Sequence, residues 1–454
     1  MKIIIAGGGK IGYTVADLLS GEGHDLTIID HDPEVIASIS NALDVICVEG
    51  SAANPGTLRE AGAADADLLL AATQQDEVNM ICGISARRLG TAQVVARIRD
   101  PEYLAQTEFL RETLGLSVIV NPEYECAKEI SRVLRFPGAV RVDAFSQGSM
   151  EIVEVRVPEG GKLVGAALRD LPERFGSHVL ICVVERGGEA LIPNGDFVLQ
   201  AGDRLSVSGE SRELRRFFAA LGLLRRPVRS VMIMGGSRIA VYLARLLQES
   251  GIRTTVLERD RERCDELCDL LPETEILCAD ATHVEVLSEE GIADTDAFVA
   301  LTGDDEDNII TSLYAMRRRV PKLVTKVNRA HLAEMLGSFG IDSVVSPKEL
   351  VAQQLVRFVR AMGNSVGSSM ETLYRLADGA VEAMEFKVSE GARLVGVPLR
   401  SLPLKKDVLV SAVIRGGRAL IPGGDTTILP GDHAVLIARA GQIKTLDEAL
   451  EERA

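Results

Sequence analysis

The stretch IIIAGGGKIG at residues 3–12 decides the fold of this chain. A short run of β-branched residues leads into Gly7, and Gly9 and Gly12 complete a G-x-G-x-x-G spacing before an amphipathic segment begins. A strand that turns through such glycines into a helix is the fingerprint of a dinucleotide-binding βαβ unit. Gly7 permits the tight turn, Gly9 lets the backbone approach a pyrophosphate, and Gly12 lets the helix pack closely on the strand. The free N–H groups of the helix N-terminus would face the phosphates.

An altered copy of this stretch, VMIMGGSRIA, occupies residues 231–240. Gly235 matches Gly7, whereas Ser237 and Ala240 replace the second and third glycines. A Cβ at 237 obstructs the closest phosphate approach, although the hydroxyl can donate a hydrogen bond instead. Alanine is allowed at the third position. The second copy therefore predicts a site with a changed nucleotide preference, or a vacant one.

The match between the two copies continues past the glycines. LTIIDHD at 26–32 matches TTVLERD at 254–260, and LLLAATQQDEVN at 68–79 matches AFVALTGDDEDN at 297–308. A second kind of unit follows each, with EGGKLVG at 159–165 matching EGARLVG at 390–396. The whole chain is therefore a tandem duplication of a two-part module.

Each module predicts two domains of different kinds. The first part alternates short strands with amphipathic helices, which indicates a Rossmann-like, doubly wound parallel sheet. The second part has short strands joined by Gly- and Pro-rich turns, which predicts a small α+β domain. We place the parallel-sheet domains at 1–121 and 228–347 and the small domains at 141–222 and 369–452. Crossover helices and linkers take up 122–140 and 348–368.

The crossover segments carry apolar stripes of their own. Tyr124, Ile130 and Leu134 share a face in the first segment, and Val351 and Leu355 share one in the second. Such a stripe predicts either a docking surface between lobes or subunits, or packing against the helix's own domain.

Charge and composition exclude several classes of protein. A formal net charge of −16 argues against nucleic-acid binding, which depends on basic contacts to phosphate. No apolar run approaches the ~20 residues that span a bilayer, so we expect a cytoplasmic protein. Its six histidines form no H-x-x-x-H pair, and Cys264 with Cys268 lacks a third ligand, so no metal site is predicted. With no proton donor in a recurring motif, the pattern favours a nucleotide sensor over an enzyme.

The strand ends supply the expected ligand contacts. Asp30 ends the second strand, where a carboxylate accepts both adenosine ribose hydroxyls and repels a 2′-phosphate, so NAD(H) is favoured over NADP. Glu258 keeps that carboxylate in the second copy. Arg97 could reach ligand phosphates, as could Lys326 in the second module. The alternative is that Arg97 and its neighbour Arg99 form salt bridges to the acidic residues at 76 and 77.

The residues also resemble a known family. IIIAGGGKIG, LTIIDHDP, CVEGSA, AATQQDEVN and VVARIRDPEY resemble RCK (or KTN) domains, which regulate potassium conductance, and EGGKLVG, LIPNGD and AGDRL resemble the RCK C-terminal domain. Two tandem modules resemble the TrkA family, the cytosolic subunits of Trk potassium uptake systems. The resemblance implies NAD(H) in the first module and NAD(H) or ATP/ADP in the second. It also implies a homo-oligomeric ring of RCK domains, docked on an integral-membrane potassium-translocating subunit of the TrkH/TrkG type.

The family's ligand positions carry over residue by residue. In the first module they fall on Gly7, Gly8, Gly9, Lys10, Ile11, Asp30, Ser51, Thr73, Gln74 and Arg97. In the second they fall on Gly235, Gly236, Ser237, Arg238, Ile239, Glu258, Thr282, Thr302, Gly303 and Lys326.

The predicted function is therefore a nucleotide-sensing regulatory subunit that gates a membrane potassium-translocating subunit through a population shift. An NAD-dependent oxidoreductase and a scaffold with vestigial sites are the alternatives.

Overall fold

A computed structural model describes residues 1–451 except 22, 105, 137–138, 146–148, 177, 224–227, 330–331, 333–334, 338, 342 and 364–369. The linker positions 137–138 and 364–369 and the domain end at 452 lie outside the described residues. In the described part, two six-stranded parallel sheets alternate with two five-stranded antiparallel sheets. The predicted fold class, with a small domain after each Rossmann-like domain, is confirmed.

The first parallel sheet has the strand order β3-β2-β1-β4-β5-β6, which is the Rossmann order. Its strands are β1 Lys2–Ala6, β2 Asp25–Asp30, β3 Ile46–Glu49, β4 Leu68–Ala71, β5 Gln93–Arg97 and β6 Val118–Val120. The helices around it are α1 Lys10–Ser20, α2 Pro33–Ala42, α3 Pro55–Glu60, α4 Asp76–Leu89, α5 Pro101–Leu104 and α6 Thr107–Leu114. The order reverses between β1 and β4, and this opens a crevice at the carboxyl ends of the strands.

The first small domain follows a long helix, α7 Pro122–Arg135. Its antiparallel sheet has the order β10-β9-β11-β8-β7. The elements are β7 Ala139–Phe145, β8 Met150–Arg156, α8 Leu171–Phe175, β9 Leu180–Arg186, β10 Glu189–Leu191, β11 Arg204–Gly209 and α9 Ser211–Leu221.

The second parallel sheet repeats the first, with the order β14-β13-β12-β15-β16-β17. Its strands are β12 Ser230–Met234, β13 Arg253–Glu258, β14 Glu275–Cys278, β15 Ala297–Ala300, β16 Lys322–Lys326 and β17 Val344–Val345. Its helices are α10 Arg238–Glu249, α11 Arg261–Leu270, α12 Val284–Glu289 and α13 Asp305–Arg317.

The second small domain follows the helix α14 Pro347–Gly363. Its antiparallel sheet has the order β18-β19-β22-β20-β21. The strands are β18 Met370–Leu376, β19 Val381–Lys387, β20 Val408–Arg415, β21 Arg418–Leu420 and β22 His433–Arg439. No helix in the described part of the chain combines the length and apolarity needed to cross a membrane.

The two crossover helices are exchanged between the modules. Helix α7 of the first module packs on α10 of the second, where Ile130 and Leu134 join the core that includes Val231 and Ile233. Helix α14 of the second module packs on α1 of the first, and Leu355 lies in the core of that domain. Each apolar stripe therefore docks on the opposite parallel-sheet domain.

A tyrosine on α10 ties the parallel-sheet domains together. The Tyr242 hydroxyl donates to the carbonyl of Arg99 at 3.0 Å and accepts a hydrogen bond from Asn121 Nδ2 at 3.2 Å. Its ring packs edge-on against Tyr124 of α7, with 5.4 Å between the ring centres.

The two small domains also pack on each other. Phe145 and Ile152 of the first share a core with Ile414 and Val435 of the second. Tyr374 donates across this contact to a backbone carbonyl at 2.8 Å. The chain is thus a pseudo-symmetric pair of modules joined at both levels.

Candidate functional site

The first glycine-rich loop is tightly closed on one side and open on the other. Gly7 has φ +106°, and its amide donates to the carbonyl of Ile29 at 2.7 Å. A Cβ on Gly12 would lie 1.9 Å from the carbonyl oxygen of Gly7, so the helix approach excludes any side chain there. A Cβ on Gly9 would meet nothing within 4 Å. The free space therefore lies where a bound phosphate group would approach the loop, which fits a dinucleotide.

In each parallel-sheet domain, a carboxylate at the end of the second strand accepts a hydrogen bond from the glycine-rich loop. Asp30 Oδ2 accepts from the Gly8 amide at 2.7 Å, and its other oxygen accepts from an amide two residues further along the chain at 3.0 Å. Glu258 repeats both contacts, with the Gly236 amide at 2.7 Å and the second amide at 2.9 Å. These carboxylates lie beside the loop, in the place that a ribose-binding acid needs.

A buried asparagine fixes the lip formed by the fourth strand. Asn79 Oδ1 accepts from the Thr73 amide at 2.8 Å and from its hydroxyl at 2.7 Å. Asn79 Nδ2 donates to the carbonyl of Thr73 and to that of the residue ending β5. Asn308 makes the same four contacts with Thr302 and the end of β16. Both asparagines are fully buried, so the two threonine hydroxyls are held in place rather than free to turn.

Sequence reasoning missed these asparagines although both stand in the matched stretches. A polar residue inside an amphipathic helix is usually solvated, and periodicity alone does not identify one that turns inward. The signal that could have identified them is the identical threonine–asparagine spacing in the two copies, six residues in each.

Of the basic residues at the ends of β5 and β16, Lys326 is buried and Arg97 is partly buried. Arg97 has 15% of its side chain exposed and lies 4.0 Å from Glu123, while Lys326 Nζ donates to the carbonyl of Thr302 at 2.6 Å. Burial lowers the pKa of both groups. Arg99 pairs with Asp76 at 3.5 Å, so the salt-bridge alternative describes Arg99 and not Arg97.

The basic residue in each glycine-rich fingerprint affects the pKa of a basic residue in the other module. After burial and Arg99, the positive charge of Arg238 in the second fingerprint also lowers the pKa of Arg97. Lys10 of the first fingerprint likewise lowers the pKa of Lys326, after burial. Glu123 and Asp76 raise the pKa of Arg97, so both basic and acidic groups lie at this contact between the modules.

The second crevice encloses a cavity of about 410 Å³. Seven predicted ligand residues line it: Gly235, Gly236, Ser237, Glu258, Thr282, Thr302 and Gly303. Three others lie outside that lining. Arg238 is exposed on α10, Ile239 is in the core, and Lys326 lies beneath the Thr302 carbonyl.

The serine of the altered fingerprint makes a hydrogen bond to its own helix. Ser237 Oγ accepts from the Ala240 amide at 3.4 Å and so caps α10. In the first module Gly9 occupies this cap position without a side chain. Ala240 also means that the second helix cannot approach its loop as closely as Gly12 does.

The second cavity carries charges that the first module lacks. Asp304 and Asp307 line it, whereas the matching positions of the first module hold Gln75 and Val78. Arg259 lines the same cavity and partly offsets these carboxylates. These three residues carry no distinctive sequence signal, because exposed charges near a helix start are usually solvated.

The remaining predicted residues take simpler places. Ser51 is exposed and its hydroxyl accepts from a nearby amide at 3.3 Å, and Gln74 is exposed at the lip. The Ile11 side chain lies in the core, so only its backbone can meet a ligand. Thr282 donates to Asp280 at 2.7 Å.

The chain matches family models along most of its length. The TrkA-N domain model matches residues 3–122 and 231–347, and the TrkA-C domain model matches residues 152–222 and 383–451. A Trk system potassium uptake protein TrkA homolog of Archaeoglobus fulgidus is 35% identical over 99% of this chain and 99% of its own.

Two solved structures share the fold. The GsuK channel bound to NAD has a TM-score of 0.64 and 19% identity, covering 98% of this chain and 77% of that one. A structure of GsuK bound to ADP has a TM-score of 0.50 and 16% identity, covering 79% of this chain and 69% of that one. The tandem domain order, the full-length identity and the two matched crevices lead to one conclusion: the chain belongs to the TrkA family of Trk system potassium uptake proteins.

Proposed function

We propose that this chain is the nucleotide-sensing regulatory subunit of a Trk-type potassium uptake system. The observation that carries the proposal is the exchange of crossover helices. Helix α1 bounds the first crevice and packs on α14 of the second module, while α10 bounds the second crevice and packs on α7 of the first. A ligand that changes the shape of one glycine-rich loop can therefore change the position of the other parallel-sheet domain. The chain acts as a regulator, and no observation favours the oxidoreductase alternative.

The first module is proposed to take NAD(H). The open space at Gly9, the close helix approach at Gly12 and the Asp30 carboxylate support a dinucleotide with an unphosphorylated ribose. NAD in the structurally similar GsuK channel supports the same ligand class. When bound, the dinucleotide would compete with the Gly8 amide for the Asp30 carboxylate.

The second module is proposed to take NAD(H) or an adenine nucleotide, ATP or ADP. Glu258 supports ribose binding, and Arg259 supports a phosphate group near it. Asp304 and Asp307 add negative charge, which disfavours a triphosphate that arrives without a divalent cation. ADP in GsuK supports the adenine-nucleotide option.

Ligand coupling is proposed to pass through the exchanged helices. A nucleotide at one glycine-rich loop would shift α1 or α10, and with it the crossover helix of the other module that packs there. Different nucleotides would then select different lobe angles, as a population shift requires.

The output is proposed to be a ring of these modules acting on a membrane partner at its cytoplasmic face. The partner is an integral-membrane potassium-translocating subunit of the TrkH/TrkG type, and the ring is a homo-oligomer. The family's name as a potassium uptake protein and the likeness to a channel support a potassium-translocating membrane partner. The ring is what the resemblance to RCK domains implies.

Calorimetric titration tests the ligand assignment. NADH, NAD, ATP and ADP are titrated into wild type, Asp30→Asn and Glu258→Gln, with the exposed Asp44→Asn as the matched control. Asp30→Asn should weaken NAD(H) binding at least tenfold, about 1.4 kcal/mol, and should leave the second site unchanged. Equal affinities in all four proteins would contradict the site assignment.

Potassium flux tests the regulatory role separately. The complex of this chain with its membrane subunit is reconstituted in vesicles and flux is measured with each nucleotide. We expect at least two nucleotides to change the flux in opposite directions. A flux that ignores all four would remove the regulatory proposal even if binding is confirmed.

A further inference from the structure

Three side chains of the second small domain converge on one point. His433 Nδ1, at the start of β22, lies 2.9 Å from Glu371 Oε2 on β18 and 3.2 Å from Glu385 Oε1 on β19. Their ligand atoms all lie within 4.8 Å of one another. Ligand atoms bound to one ion at about 2.0–2.2 Å lie roughly 3.0–3.6 Å apart. The two distances from His433 Nδ1 are close to this range.

One of the three is a carboxylate deep in the protein. The Glu385 side chain is only 2% exposed, whereas Glu371 is 43% and His433 29% exposed. Placing an ionised carboxylate away from water is costly unless a positive charge lies beside it. The cluster therefore combines a buried carboxyl group with an opening to solvent at Glu371.

The first module gives a direct comparison, because the duplicated sequence pairs each position. Glu154 matches Glu385, and Arg204 matches His433. Arg204 Nε donates to Glu154 at 2.7 Å and the guanidinium also reaches Glu185. In that module a fixed cation of the chain itself sits where the second module has an imidazole.

A second arginine is missing from the second module as well. Arg141 pairs with Glu154 across β7 and β8, and its positive charge acts on that carboxyl. The corresponding partner of Glu385 across β18 and β19 is Thr372. The second module thus has a neutral hydroxyl and an imidazole at the positions of two guanidinium groups. Ile414 stands at the position of Glu185, and Glu371 supplies the second carboxylate instead.

We propose that Glu371, Glu385 and His433 bind a divalent transition-metal ion of the zinc type. An imidazole nitrogen with two carboxylate oxygens is a donor set that suits zinc, whereas calcium and magnesium prefer all-oxygen ligands. The ion takes the position that Arg204 fills in the first module and leaves a coordination position open to water. The site lies on three strands of one sheet and is independent of both nucleotide crevices.

A metal-free hydrogen bond between His433 Nδ1 and the carboxylates is the competing arrangement. It needs no ion, because an imidazole N–H can donate to a carboxylate oxygen. The two arrangements differ in whether the chain takes up a metal ion at pH 7.5.

Zinc titration of the metal-free full-length chain tests the proposal. ZnCl₂ is added against a chromophoric chelator at pH 7.5, and CoCl₂ is added separately to record ligand-field absorption. We expect one tight equivalent per chain, no competition from a hundredfold excess of MgCl₂, and at least tenfold weaker binding in His433→Ala and Glu385→Gln.

Matched variants separate a metal site from a structural cluster. His433→Arg copies the first module, so it should fold and melt like the zinc-loaded wild type but take up no zinc. His178→Ala removes an exposed histidine, and Cys278→Ser an exposed thiol, and neither should change the tight equivalent. Wild type that binds zinc no tighter than His433→Ala or His433→Arg would overturn the proposal and leave the metal-free hydrogen bond.

Discussion

Replacing Gly12 by alanine should loosen the first glycine-rich loop and leave the second intact. The added Cβ would lie 1.9 Å from the Gly7 carbonyl oxygen, whereas packed atoms stay about 3.5 Å apart, so loop and helix must separate by roughly 1.5 Å. The obstacle is backbone that two hydrogen bonds hold against β2, so it yields poorly. Forcing volume into such a place costs about 1–3 kcal/mol.

Hydrogen exchange measures this loosening locally. A cost of about 2 kcal/mol raises the exchange of α1 amides about 30-fold, since 1.4 kcal/mol corresponds to a factor of ten. The α10 amides of the same molecule serve as the internal reference. Equal exchange of α1 in wild type and Gly12→Ala would contradict this expectation, since the first loop could then adopt, without cost, the wider spacing that Ala240 requires in the second.

Three further predictions follow from other contacts. Gly9→Ser should keep α1 as stable as wild type, because nothing lies within 4 Å of its Cβ, yet should lower NADH affinity about tenfold or more by calorimetry. Tyr242→Phe should lower the free energy of unfolding by about 1–2 kcal/mol in urea titrations, because it removes the hydroxyl's contacts between the parallel-sheet domains. Burial, and to a smaller extent the charge of Asp143, raises the pKa of Glu129 from 4.5 to about 7. The Glu129 carboxyl therefore binds its proton more tightly in the folded state than in the unfolded chain. Wild type should therefore lose stability relative to Glu129→Gln as the pH rises from 4.5 to 7 in urea titrations, and parallel pH profiles would contradict this.

The parallel sheets were predictable because each strand carries its own signal. The β-branched run before Gly7 and the fully apolar LLLA of β4 are buried strands, and the segments between them have helical periodicity. The position of Asp30 and Glu258 at the crevice could be predicted because parallel strands bring their carboxyl ends to the same edge of the sheet. A residue that ends a strand therefore lies at that edge.

Which parallel-sheet domain each crossover helix packs on was not predictable in the same way. The apolar stripe of Ile130 and Leu134 requires a partner, but the two modules offer nearly identical surfaces. Choosing between them depends on chain connectivity in three dimensions, which periodicity does not encode. The cluster at His433 was hidden for a related reason, because its residues are 14 and 48 positions from Glu385 and meet only through strand pairing.

Through the exchange of crossover helices, the two modules of this chain pack like the subunits of a dimer, but they are joined covalently. Two identical modules on separate chains would meet at a rate set by their concentration and would present the same crevice twice. Covalent linkage raises the effective concentration of one half for the other and fixes their ratio at one to one. Each half can then diverge while keeping its partner. Ser237 and His433 are changes of that kind, each present in one half and absent from the other, so the chain works as a permanent heterodimer encoded by a single sequence.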